Sequence, residues 1–189
     1  MATAKRALSF PSYIDSLNDM QLVNQHRIPQ QTNIIPDWKL PPSPFYTINY
    51  DASFDPKTGL TGIALILRDY TGRWRGGKSK CYAGVKDSES AECLDFSDAV
   101  SWTHDLENTH IIFETDLKNI ESYINKTFSG IAWENEDILL DTLDKLKTIP
   151  HWRCNFIPRL CNKSVDKLAK YNRKNGITQT WSDQPPKHI

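Results

Sequence analysis

Two short turns fix most of what this chain can become. Asp55-Pro56-Lys57-Thr58-Gly59 and Asp69-Tyr70-Thr71-Gly72 are rich in turn formers. They separate three strand-like runs: Phe45 to Phe54, Thr61 to Arg68 and Arg73 to Ala83. Connections this short join antiparallel neighbours, so the runs predict a three-stranded meander. In the first run Tyr46, Ile48, Tyr50 and Ala52 share one face, and Thr47, Asn49, Asp51 and Ser53 share the other. A carboxylate at Asp51, near the end of a mid-sheet strand, is costly unless something uses it.

After Ala83 the period changes. Ser88 to Leu106 carries Cys93, Phe96, Ala99, Val100, Thr103 and Leu106 at helical spacing, with Asp87 or Ser88 as N-cap. Thr109 to Thr115 is a short apolar strand ending at Asp116, and Leu117 to Asn125 a short helix. Asn135 caps a helix with Leu139, Leu143 and Leu146 on one face, and Pro150 stops it. Trp152 to Pro158 reads as a fifth strand. Ser164 then caps a last helix with Val165, Leu168 and Ala169 inward. Right-handed crossovers lay strands four and five parallel to strand one. The expected fold is α/β, a five-stranded mixed sheet of order 3-2-1-4-5 with helices on its faces.

Residues 1–44 are polar and end in Pro36, Pro41, Pro42 and Pro44, which favours extended chain. They are expected to be an N-terminal tail or linker, with a short helix at Ser9 to Val23. Residues 45–174 form the folded domain and 175–189 a C-terminal tail. Of the 189 residues 39% are hydrophobic, enough for one sizeable core. The net charge of zero hides an asymmetry. Lys145, Lys147, Arg153, Arg159, Lys163, Lys167, Lys170, Arg173 and Lys174 make the C-terminal third basic, which suits a phosphate backbone or simply a solvated helix face. The four cysteines form no CxxC pair and suggest reduced thiols. The longest apolar run, Ile63 to Leu67, is too short to cross a membrane. An intracellular monomer of nucleus or cytoplasm is expected. Lys5, Arg6 and the small residues around them leave an organelle open.

In the expected topology Asp51 and Asp116 end neighbouring parallel strands, where ligands of such sheets gather. Glu92 lies early in the long helix and Asp166 early in the last one. Four carboxylates brought together need cations, and hard oxygen donors favour Mg²⁺ or Mn²⁺. Each acid also has a structural reading. Asp51 can make an Asx-turn, Asp116 can be an N-cap, and Glu92 and Asp166 can be favoured by helix dipoles.

Several motifs occur in order. They are Trp38-Lys39-Leu40-Pro41-Pro42, Tyr50-Asp51-Ala52-Ser53-Phe54, Gly62 to Asp69 with Gly72, Ser90-Ala91-Glu92, and Glu114-Thr115-Asp116. Ile157-Pro158-Arg159 with Asn162 and Val165-Asp166-Lys167-Leu168-Ala169 closes the series. From about Trp38 to Tyr171 the chain resembles the ribonuclease H type 1 family, particularly the plant domains related to retroelement reverse transcriptases. The resemblance implies hydrolysis of the RNA strand of an RNA–DNA hybrid with two Mg²⁺ ions, Mn²⁺ being an alternative. It implies that Asp51 bridges both ions, that Asp166 helps hold the water-activating one, and that Glu92 and Asp116 hold the other. Ser53, Ser88, Arg159 and Asn162 are the candidate nucleic-acid contacts. Trp102 is expected in the core. The chain departs from the family at Phe156, where a histidine ten positions before the last aspartate is usual. It also lacks a basic insertion between Asn125 and Asn135. A catalytically weak or inactive nucleic-acid-binding module of retroelement origin is the competing expectation. A 3′–5′ exonuclease would want Asp-x-Glu on the first strand, and Asp51-Ala52-Ser53 lacks it.

Overall fold

The computed structural model describes residues 37–106, 109–126 and 130–187, which fall in one unit, Ile35–Ile189. The expected helix at Ser9 to Val23, and residues 1–36 of the expected tail, lie outside the described residues. The meander is β1 (Tyr46–Asp55), β2 (Leu60–Arg68) and β3 (Trp74–Tyr82). Then come α1 (Ser88–Asp105), β4 (His110–Thr115), α2 (Lys118–Ile124), α3 (Trp133–Leu146), β5 (His151–Phe156) and α4 (Lys163–Asn175). A short β6 (Gln179–Trp181) closes the order. The sheet runs β5-β4-β1-β2-β3-β6. β1 pairs parallel with β4, and β4 with β5, while the meander pairs are antiparallel. The expected five-strand order is therefore present, with one strand added at the β3 edge.

Period-two patterning sorts the sheet into two faces. Ile48, Tyr50, Ile63, Leu65, Ile111 and Phe113 join Phe96, Val100 and Trp102 of α1 and Leu139 and Leu146 of α3 in the main core. Trp102 is 4% exposed and belongs to that core, as expected. On the opposite face α4 lays Val165, Leu168 and Ala169 against Ala64 and Ile66. Gly62 permits that approach. A Cβ there would fall on the carbonyl oxygen of Ala169 and the backbone nitrogen of Arg173.

Four local expectations are corrected. Asp51 does not end its strand: β1 runs on to Asp55, paired with β2 alone after its parallel register with β4 stops at Asn49. Residues 175–189 are not all tail. Gly176, in the left-handed region at φ 62°, turns the chain so that Gln179–Trp181 add antiparallel to β3. A three-residue strand with two exposed side chains carries too little pattern to be read from sequence. Asn135 does not cap α3; it is buried in its first turn, and Glu89 of α1 accepts from both the Ala132 N–H (2.8 Å) and the Asn135 amide (2.7 Å). Ser164 lies inside α4, whose N-cap position is Asn162. Asp87 does cap α1, accepting from the Ser90 N–H at 2.8 Å.

Because backbone rather than side chain meets the added atom, Gly62→Ala must displace α4. It is expected to cost about 2 kcal/mol or more, read as a lowered urea midpoint with an unchanged slope. An unchanged midpoint would show that the helix yields freely.

Candidate active site

Asp51 projects from β1 just past the point where the parallel pairing with β4 stops, so no strand covers it on that side. Asp116 follows β4 directly. Glu92 stands in the second turn of α1, and Asp166 in the first turn of α4. These four carboxylates line one cleft of about 410 Å³ together with Ser53, Leu117, Phe156, Arg159 and Lys170. The topology alone accounts for the meeting. Parallel strands end at the same edge, and both helices start there.

The electrostatics fit a site short of positive charge. Asp51 is 8% exposed, and burial, then Asp116 and Asp166, push its carboxyl up to about 8. Glu92 is pushed up to about 7 by burial and by Glu89, Asp116 and Asp87. Two cations partly balance the cluster. Lys170 Nζ lies 2.7 Å from Asp166, one helical turn on. Arg159 approaches Asp116 at 3.7 Å and Asp166 at 3.9 Å from a largely exposed position. Among the described residues no three His, Cys, Asp or Glu side chains converge closely enough to hold a metal ion as they stand. The donors are nonetheless all hard oxygens, the set a divalent cation such as Mg²⁺ takes.

Asp116 is not an N-cap, because α2 is preceded by Leu117 and has no side-chain cap bond. Its Oδ1 instead accepts from the Asn162 amide at 2.9 Å. Asn162, expected to touch nucleic acid, is 1% exposed and also donates to the Tyr50 carbonyl at 3.0 Å. Facing inward, it ties Asp116 to the backbone residue before Asp51. Ser53 lines the cleft and accepts from Arg173 Nε at 3.0 Å, while Arg173 also pairs with Asp55. Ser88 is exposed at the start of α1, outside the cleft lining. Arg159 lies at the rim.

Three residues here escaped the sequence reading. Lys170 carries a signal that was available, the i,i+4 spacing from Asp166. Glu114 lies two residues before Asp116, near the end of β4 and paired with Asn49 of β1. It is buried and accepts from Trp38 Nε1 (2.7 Å) and Asn49 Nδ2 (2.8 Å). Burial raises its carboxyl, and those two donors with Arg68 oppose the rise. Asp95, one turn beyond Glu92, is wholly buried, and neither oxygen has a hydrogen-bond partner among the described residues. Burial raises its carboxyl strongly, with Asp51 the next contributor. It keeps a helical spacing that reads as core.

The fold and the acid-lined cleft together define a ribonuclease H-like α/β domain. Ribonuclease H1 from the archaeon Halobacterium salinarum NRC-1 has the same fold (TM-score 0.65, 14% identity, 70% of this chain and 99% of that one). So does the N-terminal ribonuclease H domain of a Mycobacterium tuberculosis protein (TM-score 0.63, 13% identity, 69% and 94%). LC11-RNase H1, in its complex with an RNA/DNA hybrid, matches at TM-score 0.57 and 14% identity over 69% and 98%. No curated protein sequence matches the chain. Residues 49–172 match the reverse transcriptase-like family model, and the chain belongs to that family. Among the described residues no helix is long and apolar enough to cross a membrane.

Two outcomes follow from the buried acids. Asp51 and Glu92 keep protons in the folded state that the unfolded chain releases near pH 4. Folding therefore loses stability as pH rises from about 4 to about 8. Without added divalent cations the melting temperature should fall between pH 5 and pH 8; a rise across that window would contradict the buried-acid electrostatics. Asp95→Ala removes a desolvated carboxyl and should raise stability at pH 8 by about 1–2 kcal/mol. A loss instead would mean that bound water satisfies Asp95.

Proposed function

We propose that the chain is a metal-dependent endonuclease that hydrolyses the RNA strand of RNA–DNA hybrids. One observation carries the reading: acids from β1, α1, the end of β4 and α4, remote in sequence, line a single cleft. Asp51 lies between elements carrying the other three and would be the shared ligand of two Mg²⁺ or Mn²⁺ ions, with Glu92, Asp116 and Asp166 completing the sites. Such ions, when bound, lower the pKa of a water nucleophile and stabilise charge on the leaving oxygen. The chain supplies position and counter-charge. Arg159 at the rim can pass from the carboxylates to a phosphate, for which its planar guanidinium is suited. Lys170 has to leave Asp166 for that carboxylate to take a cation. Asn162 holds Asp116 in place from behind. Ser53 within the cleft, and Ser88 beside it, offer hydroxyls to the sugar–phosphate backbone. Selection of a hybrid would rest on groove shape and 2′-hydroxyl contacts.

Phe156 supports a second reading, a nucleic-acid-binding module with little turnover. It ends β5, lines the cleft and is half-exposed, yet it can neither accept nor donate a proton. The readings separate on product. Purified protein with labelled RNA–DNA hybrid should release cleaved RNA in Mg²⁺ or Mn²⁺, and Asp51→Asn should abolish release. Retained hybrid binding with no cleavage in either metal establishes the binding module. At pH 8, Mg²⁺ should raise the melting temperature of the wild type and not of Asp51→Asn. Phe156→His should raise turnover by about tenfold or more; an unchanged rate would remove the missing histidine as a cause of slow turnover.

A further inference from the structure

A polar brace lies one residue pair beneath the acid cleft. Asn49 of β1 and Glu114 of β4 are partners in the parallel register. Asn49 stands two positions before Asp51 on the same face of β1, and Glu114 two positions before Asp116, which directly follows β4. Asn49 Nδ2 donates to Glu114 Oε2 at 2.8 Å, and Trp38 Nε1 donates to the same oxygen at 2.7 Å. From β2, Arg68 Nη1 donates to Asn49 Oδ1 at 2.5 Å, while its guanidinium lies 5.3 Å from the centre of the Trp38 ring. Trp38, Glu114, Asn49 and Arg68 thus form a closed loop linking three neighbouring strands to the segment before β1.

Burying a carboxylate there is expensive, and an apolar side chain would fill a sheet face at less cost. What the carboxylate provides is geometry. Glu114 and Asn49 fix the separation of β1 and β4 at the last paired residues before the strands diverge toward Asp51 and Asp116. Trp38 supplies one of the two donors on Glu114, yet it precedes the part of the chain that matches the family, residues 49–172. It opens the Trp38–Pro42 motif of the family resemblance, within a stretch whose composition otherwise reads as tail or linker.

We propose that Trp38 is a positioning residue of the cleft: through Glu114 it sets the spacing of Asp51 and Asp116, so that divalent-cation affinity depends on a residue outside the matched domain. This rests on the cation-binding reading above. The test is titration of the full chain with Mn²⁺ at pH 8, followed by calorimetry, well below the melting temperature of each variant. Trp38→Phe keeps an aromatic ring beside Arg68 but removes the donor. It should weaken Mn²⁺ binding about tenfold, as loss of a ligand-orienting partner does. Glu114→Gln keeps an oxygen that can accept from both Trp38 and Asn49, and should stay within about twofold of wild type, since only geometry is at stake. A merely structural role would lower the melting temperature of Trp38→Phe and leave the affinity of the folded protein unchanged. That result, or equal loss of affinity in both variants, overturns the proposal. Asp51→Asn separates the two levels. If it abolishes binding while Trp38→Phe does not weaken it, only the brace fails; if the wild type binds no Mn²⁺, the cation reading fails and the proposal with it.

Discussion

Like-charge repulsion around Asp51, within the second half of β1, is the constraint that the rest of this structure answers. Asp51 is almost fully buried and feels both Asp116 and Asp166, so it holds its proton to about pH 8. Nothing local requires an acid there. Asp51 faces the same side as Ala64 of β2, its register partner, where a valine or threonine would pack. The acids are kept together by rigidity elsewhere: the β1–β4–β5 ladder, the capped start of α1 and the close seat of α4 on Gly62. The ladder positions Asp51 and Asp116, the start of α1 positions Glu92, and the seat of α4 positions Asp166. Repulsion therefore raises proton affinity rather than pushing the elements apart.

The two faces of the sheet divide the work. Beneath α1, α2 and α3 the main core is apolar and tightly aromatic, with Phe96 and Phe113 meeting edge to face at 5.6 Å. The other face carries a smaller apolar cluster under α4 and a polar layer beside it. Asn162 belongs to that polar side. It occupies the N-cap position of α4 but makes no cap bond, spending its amide on the Tyr50 carbonyl and Asp116. A helix start is thereby sacrificed to fix the distance between β1 and the chain leaving β4. Asp95 is the exception on the apolar side, a carboxyl one turn beyond Glu92 with no hydrogen-bond partner among the described residues. Such departures from a satisfied core gather at sites that do something other than fold.

Much of this was legible in the residues. The tight turns after β1 and β2 and the switch to helical period give the strand order. The acids follow from that order, because parallel strands and the helices after them share an edge. What escaped was set by contacts between elements distant in sequence. Asn135 looks like an N-cap in its own window; only the fold brings Glu89 to do that work and buries Asn135 against Ser90. Asn162 looks like a surface amide until β1 is placed beneath it. Gln179–Trp181 have no alternation to betray a strand and pair only because Gly176 sends the chain back along β3. Trp38 sits in a proline-rich stretch whose composition says linker, while a single indole N–H ties it to Glu114, 76 residues away.

Phe156 and Lys170 bear on the same question from opposite sides of the cleft. A phenylalanine at the end of β5 cannot move protons, and its half-exposed ring lines the cleft without bonding to the acids. Lys170 is bonded to Asp166, which Arg159 also approaches at 3.9 Å. That pairing is partly exposed and i,i+4, the kind of ion pair that contributes about 0.3–0.5 kcal/mol. A pair that weak does not fix the lysine on the carboxylate. The lysine is therefore a placeholder for charge rather than a lock. Phe156 changes what the cleft can do with a proton, whereas Lys170 changes only the charge it holds.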